Sequence, residues 1–176
     1  AGGQFPALAE YINDKGWNAV INNNLNVTFY MTREMTKSFF IPQKNGTVVN
    51  IIADMMRGFP GMAHTGAARA GVENLTKTLA QEWSEFNIRL NCVAPGINDS
   101  SGLDQYPPQV KNMFDEARKA IPMGRFGQVE DVSNAVLFLA SPMASYITGI
   151  TLYEDGAQHL NYDKMALANV LKSFMK

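Results

Sequence analysis

The segment at residues 88–97 reads Ile-Arg-Leu-Asn-Cys-Val-Ala-Pro-Gly-Ile and constrains the fold more than any other part of the chain. Apolar residues alternate with polar ones and then continue through Val93 and Ala94, which predicts a buried β-strand. Pro95 cannot donate a hydrogen bond to a neighbouring strand, and Gly96 allows the backbone to approach a flat ligand closely. Because α/β sheets bind ligands outside the carboxyl ends of their strands, we expect a ligand site where this strand ends.

Predicted helices and strands alternate along the chain. Apolar residues recur at helical spacing over about 17–40, 66–86 and 130–140, and β-branched runs predict further strands at 47–52 and 150–153. This alternation is typical of an α/β fold in which helices cover both faces of a parallel sheet. For the first helix, the spacing predicts an inward-facing stripe made of Trp17, Val20, Ile21, Leu25, Met31 and Met35.

Three strands are few for a sheet of this kind. A three-stranded parallel sheet leaves an apolar edge uncovered, and the sequence has no Gly-rich phosphate loop after an early strand. We therefore expect residues 1–176 to form one partial domain. It would be the C-terminal portion of a doubly wound parallel sheet, without the N-terminal phosphate-binding βαβ units.

Composition excludes several classes of protein. The chain has 176 residues, of which 46% are hydrophobic and 18% charged, and its net charge is −1. This composition predicts a globular fold, and without a basic stripe we expect no nucleic-acid partner and no membrane surface. The single cysteine, Cys92, excludes an internal disulfide and is expected to fill space in its strand. With no signal peptide and no long apolar run, the chain is expected in the cytoplasm.

The order of short motifs resembles the short-chain dehydrogenase/reductase family. The motifs that carry the resemblance are Ala1-Gly2-Gly3, Asn24-Leu25-Asn26-Val27-Thr28, Gly46-Thr47-Val48-Val49-Asn50-Ile51, Asn91-Cys92-Val93-Ala94-Pro95-Gly96, Arg125-Phe126-Gly127, Thr148-Gly149 and Asp155-Gly156. Val27 stands where the family usually has Gly. The segment 64–71 resembles the branch that contains peroxisomal trans-2-enoyl-CoA reductases and bacterial dehydrogenases of citronellol catabolism.

The resemblance implies a Rossmann-like fold and a nicotinamide cofactor, either NAD or NADP. The residues that it places at the cofactor are Ala1, Gly2, Asn24, Arg69, Pro95, Gly96, Ile97 and Ser100. It also implies that 98–121 occupy the place of the family's substrate lid. Four side chains there could line an acyl or isoprenoid pocket, or equally form the packing face of a lid helix: Leu103, Tyr106, Met113 and Phe114.

Three of the family's four catalytic positions are changed in this chain. Asn24 matches the asparagine of the long helix, whereas Ala53, Thr65 and Arg69 stand where serine, tyrosine and lysine are usual. A threonine hydroxyl is a far weaker acid than a phenol, and an arginine stays charged and cannot relay a proton. The changed site can bind a reduced nicotinamide and stabilise an oxyanion, which favours reduction of an enoyl thioester over ordinary alcohol oxidation.

A proton must still reach the α-carbon of such a substrate. His64 is one candidate, since an imidazole titrates near neutral pH, and Asp54 is another. Either residue could instead have only a structural role. The resulting hypothesis is hydride transfer between a nicotinamide and a hydrophobic enoyl-CoA or terpenoid substrate. Two alternatives stay open, namely a citronellol-type alcohol dehydrogenase and a catalytically weak member that acts as a binding or scaffolding subunit.

Two apparent motifs are assigned no catalysis. Tyr11 and Lys15 have the spacing of the family's Tyr-x-x-x-Lys motif but precede the first long helix, so we treat them as a surface coincidence. Glu73 and Lys77 are expected to form a solvated ion pair on their helix. The resemblance also implies a homodimer or homotetramer that pairs through the helices at 17–40 and 66–86.

Overall fold

The computed structural model of the chain describes residues 3–100, 116, 118–119, 121–161 and 171–173. Two of the predicted cofactor residues, Ala1 and Gly2, lie outside the described residues, and so do the four side chains named for the lid. Within the described residues, no helix combines the length and the apolar character that crossing a membrane requires.

Three parallel strands form the central sheet. In chain order the strands are β1 (Gly46–Ile51), β2 (Ile88–Pro95), β3 (Asn98–Asp99), β4 (Gly127–Gln128) and β5 (Thr151–Glu154). The sheet order is β1–β2–β5, while β3 and β4 make a separate short parallel pair. Because β2 is paired on both sides, it is the most deeply buried strand, as the sequence predicts.

Helices cover both faces of this sheet. The long helix α1 spans 14–43, with α-helical parts at Asp14–Ile21, Val27–Met35 and Ile41–Gln43 and π-helical turns at Asn22–Asn26 and Thr36–Phe40. It is followed by α2 (Ala63–Glu82), α3 (Val129–Ala140) and the short α4 (Gln158–Asn161). The predicted α/β class with a doubly wound parallel sheet is confirmed.

The two faces of β2 have different cores. On one face, Leu90 packs with Leu79 of α2, and Cys92 packs with Val72 of the same helix. On the other face, Val93 packs with Leu139 of α3. Each of these side chains is almost fully buried, and burial of one aliphatic side chain is worth about 1.5–3 kcal/mol. The sheet is therefore held between α2 and α3.

The inward face of α1 differs from the predicted stripe. Val20 is buried as expected, but Trp17, Met31 and Met35 are more than a third exposed. The buried residues at the four-residue spacing of this helix are Val20, Asn24, Thr32 and Thr36. Small and polar side chains lie inward here because α1 runs close to α2: a Cβ added to Gly71 would lie 3.0 Å from Cδ2 of Leu25. Apolar periodicity could not identify a face that is chosen by close packing.

Arg89 ties the sheet to the end of α3. Its guanidinium donates to the carbonyls of Leu139 (2.8 Å) and Ser141 (3.3 Å) and to Oγ1 of Thr47 (3.1 Å). Carbonyls at a helix end lack partners within the helix, and a cation there also opposes the negative end of the helix dipole. The hydrogen-bond donors of this polar side chain, in a mostly apolar strand, are thus paired with carbonyls at the end of α3.

Cys92 has the inert character expected of a strand residue. Its thiol is buried, donates to Oγ1 of Thr76 at 3.2 Å, and has a pKa that burial raises to about 11. A thiol whose pKa is raised by folding binds its proton more tightly in the native state than in the unfolded chain. The stability that this contributes is complete below the ordinary pKa of 9.0 and is lost as pH rises toward 11.

We predict that replacing Cys92 by Ala removes part of the alkaline loss of stability. Between pH 9 and 11 the free energy of unfolding of the native chain should fall by up to about 3 kcal/mol more than that of the variant. Urea unfolding at several pH values measures the difference, and the variant corrects for lysines and tyrosines that titrate in the same range. Parallel curves for the two proteins would contradict the burial argument.

Candidate functional site

The carboxyl ends of β1 and β2 meet the first turns of α2. The hydrogen bonding of the sheet continues past β1, because the amide of Ile52 donates to the carbonyl of Val93 (2.9 Å) and that of Asp54 donates to the carbonyl of Pro95 (3.1 Å). From α2, the guanidinium of Arg69 donates to the carbonyl of Ile51 at 2.8 Å. The residues that stand at the family's serine and lysine positions and the Pro95 bend therefore border one edge of the sheet.

Arg69 keeps its charge in this position. Burial lowers the pKa of Arg69, but a guanidinium starts so high that it stays protonated at neutral pH. The amide of Ile52 points toward β2. Because the backbone groups of successive strand residues point to opposite sides, the Ile51 carbonyl that Arg69 binds points away from β2. The described contact with Ile51 uses one guanidinium nitrogen, Nη1, and the group has five N–H donors in all.

Thr65 and His64 form a closely coupled buried pair at the start of α2. The Thr65 amide donates to Nδ1 of His64 at 2.8 Å, and the Thr65 hydroxyl lies 3.2 Å from the same nitrogen. The His64 ring also meets the ring of Phe5 edge-on, with centroids 4.5 Å apart. Both residues are fully buried, and this burial lowers the pKa of His64. The imidazole is therefore neutral near pH 7.

The tautomer of His64 follows from these contacts. Because Nδ1 accepts a hydrogen bond from a backbone amide, the proton of the neutral ring resides on Nε2. Nε2 is buried, and a hydrogen bond between the ring and the Met62 backbone partly offsets the effect of burial on the pKa of His64. His64 is thus placed to donate a hydrogen bond from a buried position. It is poorly suited to carry a positive charge.

Asn24 lies in the first π-helical turn of α1, a type of irregularity that is frequent at functional sites. Its buried Nδ2 donates to the carbonyls of Gly3 and Val20, both at 2.9 Å. Its Oδ1 is buried without a partner among the residues described. The segment that begins at Gly3 continues along the start of α2, where the Ala7 amide donates to the Gly61 carbonyl at 2.9 Å. Asn24 and α2 are therefore linked by the segment that carries Phe5.

The bend after β2 packs against protein groups, which give a structural reason for its glycine. A Cβ on Gly96 would lie 2.8 Å from both Cβ of Asp155 and Oε1 of Gln158. The Ile97 amide donates to that same Oε1 at 3.2 Å. Glycine is thus required here because the turn after β5 approaches the backbone. The close approach of a ligand to Gly96 stays a prediction.

The other predicted positions are less informative. Ser100 is half-buried at the end of a described stretch, beside β3. Tyr11 is more than half exposed in a short 3-10 helix, which agrees with its treatment as a surface coincidence. Glu73 does more than form the expected ion pair with Lys77 (2.7 Å), because it also accepts from Oγ1 of Thr151 at 3.1 Å and so joins α2 to β5.

Sequence reasoning missed a polar group at the end of β5. Asp155 and Gln158 both contact the Pro95–Ile97 bend, and His159 binds Asp155 with Nδ1 and Oδ2 2.7 Å apart. The Asp155-Gly156 dipeptide was recognised only as a family landmark. The proximity of this turn to the bend follows from the pairing of β2 with β5, which brings Pro95 opposite Glu154. That pairing is not visible in local sequence.

Comparisons with known proteins agree with this geometry. The family model described as enoyl-(acyl carrier protein) reductase matches residues 3–159. A 3-oxoacyl-[acyl-carrier-protein] reductase of Thermotoga maritima is 39% identical over 85% of this chain and 60% of its own length. A probable 2,4-dienoyl-CoA reductase of Bacillus subtilis is 36% identical over 92% of this chain and 64% of its own. The chain belongs to the short-chain dehydrogenase/reductase family, as its motifs predict.

Solved structures of dehydrogenases also match the fold of this chain. A citronellol catabolism dehydrogenase of Pseudomonas aeruginosa superposes with a TM-score of 0.74 at 36% identity, over 90% of this chain and 60% of that one. A putative 2-deoxy-D-gluconate 3-dehydrogenase of Agrobacterium tumefaciens, with bound NADP, superposes with a TM-score of 0.83 at 31% identity. The match covers 89% of this chain and 64% of that one. The chain thus spans about 60% of the length of the relatives that it matches.

We predict that Gly96→Ala destabilises the protein by about 1–3 kcal/mol, because the added methyl group overlaps Asp155 and Gln158. Gly3→Ala is the matched control, since a Cβ there meets only ordinary contact at 3.8 Å. Thermal and urea unfolding of both variants measure the effect. Equal stability of the two variants would show that the bend does not pack tightly on the turn after β5.

Proposed function

We propose that this chain works in a nicotinamide-dependent oxidoreductase of the cytoplasm, which transfers hydride between NAD or NADP and a hydrophobic enoyl thioester or terpenoid. The observation that carries the proposal is the convergence of Arg69, the Asp54 amide and the Pro95 bend at the carboxyl end of β1. Family membership supports the reaction class, and the relative with bound NADP supports the cofactor. That phosphate-binding units precede this portion of the fold stays a prediction.

The described residues fit a nicotinamide nucleoside at the carboxyl ends of β1 and β2. The Arg69 guanidinium has donors beyond its bond to Ile51 that suit ribose hydroxyls, and Asn24 contributes a buried Oδ1 that no described group satisfies. The bend at Pro95, Gly96 and Ile97 would form the wall on the other side, with Ser100 near its end. A reduced nicotinamide bound here would supply hydride to the β-carbon of the substrate.

The protein's own contribution is to stabilise the negative oxygen that results. Hydride addition to an α,β-unsaturated thioester moves charge onto the carbonyl oxygen as an enolate. The Thr65 hydroxyl and the positive charge of Arg69, one helical turn further along α2, can stabilise that oxygen without giving up a proton. This requirement fits a threonine at the position of the usual tyrosine, and it favours enoyl reduction over alcohol oxidation. The dienoyl-CoA reductase among the relatives supports an acyl-CoA substrate.

Two alternatives are supported by particular observations. The structural similarity to a citronellol catabolism dehydrogenase favours a citronellol-type alcohol dehydrogenase with an unusual proton donor. The combined presence of Ala53, Thr65 and Arg69 favours a binding or scaffolding subunit with little turnover. Exposed apolar side chains on α1 support a homodimer or homotetramer that buries this helix against a second copy: Val27, Tyr30, Met31 and Met35.

Oxidation of NADH and NADPH, followed at 340 nm, distinguishes these functions. We expect turnover with a trans-2-enoyl-CoA such as crotonyl-CoA and little with citronellal, and 3-oxoacyl-CoA serves as the third substrate. Thr65→Val, which removes the hydroxyl and keeps the size, should lower kcat by about 100-fold if it stabilises the enolate oxygen. Thr78→Val is the control, because the Thr78 hydroxyl is exposed and its described hydrogen bond is to the Asn74 carbonyl one turn earlier.

Each alternative has its own outcome in this assay. Turnover confined to citronellol and citronellal would favour the alcohol dehydrogenase. Cofactor binding by fluorescence titration without turnover of any substrate would favour the binding subunit. Equal kcat values for Thr65→Val and the native chain would remove Thr65 from the site.

A further inference from the structure

Asp155 and His159 form an oriented acid–imidazole pair that the family motifs do not assign. The Asp155 side chain is almost fully buried. Its Oδ1 accepts from the Ala157 amide (3.0 Å), and its Oδ2 accepts from both the amide and Nδ1 of His159 (2.7 Å each). A carboxylate that accepts from Nδ1 fixes the ring orientation and keeps a proton on that nitrogen. In the neutral ring, Nε2 is then the basic nitrogen.

Neighbouring rings and backbone hold this imidazole rigidly. The Tyr153 ring stacks on it, with centroids 4.4 Å apart and planes 26° from parallel. The short helix that carries His159 begins at Gln158, whose Oε1 accepts from the Ile97 amide. Asp155 itself lies against Gly96. The pair therefore borders the same bend that closes the proposed nicotinamide site, on the side of β5.

The two histidines of the chain are opposite in character. His64 is fully buried and accepts a hydrogen bond at Nδ1, and burial lowers its pKa. His159 donates from Nδ1 to a carboxylate, and its side chain is 18% exposed. An imidazole that must gain and lose a proton in each cycle needs access to water and a stabilised cation. Only His159 has both an exposed surface and an adjacent carboxylate.

We propose that His159, oriented by Asp155, is the catalytic residue that delivers the proton to the α-carbon of the substrate. This inference rests on the proposed enoyl reduction. The enolate electron pair forms a new bond from the α-carbon to hydrogen as the Nε2–H bond of the imidazolium breaks. The ring is left neutral with its proton on Nδ1, and a proton from bulk solvent then restores the Nε2–H bond. His64 then has no part in proton transfer.

The Tyr153 phenol that stacks on the imidazole is itself surrounded by carboxylates. The Tyr153 hydroxyl is close to three carboxylates, on Glu73 of α2, Asp54 after β1 and Asp155. Burial, then these carboxylates and the Cys92 thiol, raise the pKa of Tyr153. The phenol therefore stays neutral against the imidazole.

The first test reads the tautomers directly. Because the chain has two histidines, protein labelled with ¹⁵N-histidine gives two sets of ring signals, which His64→Gln assigns. At alkaline pH we expect opposite tautomers, with the proton on Nδ1 in His159 and on Nε2 in His64. Asp155→Asn should shift His159 toward the Nε2–H form. The same tautomer in both rings would overturn the orientation that the proposal requires.

Addition of crotonyl-CoA to the labelled protein tests access to the substrate. We expect the Nε2 signal of His159 to shift and that of His64 to change little. A shift confined to His64, or no shift in either ring at saturating crotonyl-CoA, would overturn the proposal. This readout needs no turnover, so it is decided separately from the reductase assay.

Kinetics supply the last test. His159→Gln should lower kcat for crotonyl-CoA reduction by about 100-fold and leave KM within about twofold. His159→Ala should regain part of the activity with added imidazole, which a structural role would not produce. His64→Ala is the matched control and should show no rescue by imidazole. Full activity of His159→Gln in an active reductase would overturn the proton donor and leave the proposed function intact.

Discussion

The hydrogen bonding between the ends of β1 and β2 is the constraint on which the rest of the site depends. The ladder does not stop with the strands, because Asp54 still donates to the carbonyl of Pro95. This bond fixes the chain after β1 relative to the bend after β2. Arg69 then ties α2 to the same strand end through Ile51. Three elements that are distant in sequence are thereby held together by two hydrogen bonds and the pairing of β1 with β2.

The parts of the fold that sequence could predict are those set by local pattern. The strand at 88–95 was recognisable because an apolar run ends at a proline that cannot continue the ladder. The buried face of α2 was recognisable because Ala68, Val72 and Leu79 repeat at helical spacing. The inward face of α1 was not, because Asn24, Thr32 and Thr36 are buried by close packing and not by apolarity. Such packing depends on the neighbouring helix.

The candidate site shows the same division. Thr65 and Arg69 could be placed from sequence because they keep the four-residue spacing of the family motif on one helix. His159 could not, because its importance comes from Asp155 and from the pairing of β5 with β2. His64 was visible as a histidine at a helix start. Its burial and its acceptor role at Nδ1, which make it a poor proton donor, required the fold.

The chemistry of the site follows from what replaced the usual phenol. Without a phenol, an oxyanion can be stabilised by the Thr65 hydroxyl and the Arg69 charge. The proton for the α-carbon must then come from another group. Thr65 and Arg69, which we propose for the oxyanion, lie on α2, whereas the oriented Asp155–His159 pair packs against the Pro95–Ile97 bend from the side of β5.

The most direct test of the central claim is amide hydrogen exchange, followed by mass spectrometry, with and without NADPH. If the nicotinamide lies at the shared edge of β1 and β2, exchange should slow together in three separate segments, 53–55, 65–69 and 96–98. Protection confined to one of these segments, or protection that appears only in α3, would contradict the convergence on which the whole account depends.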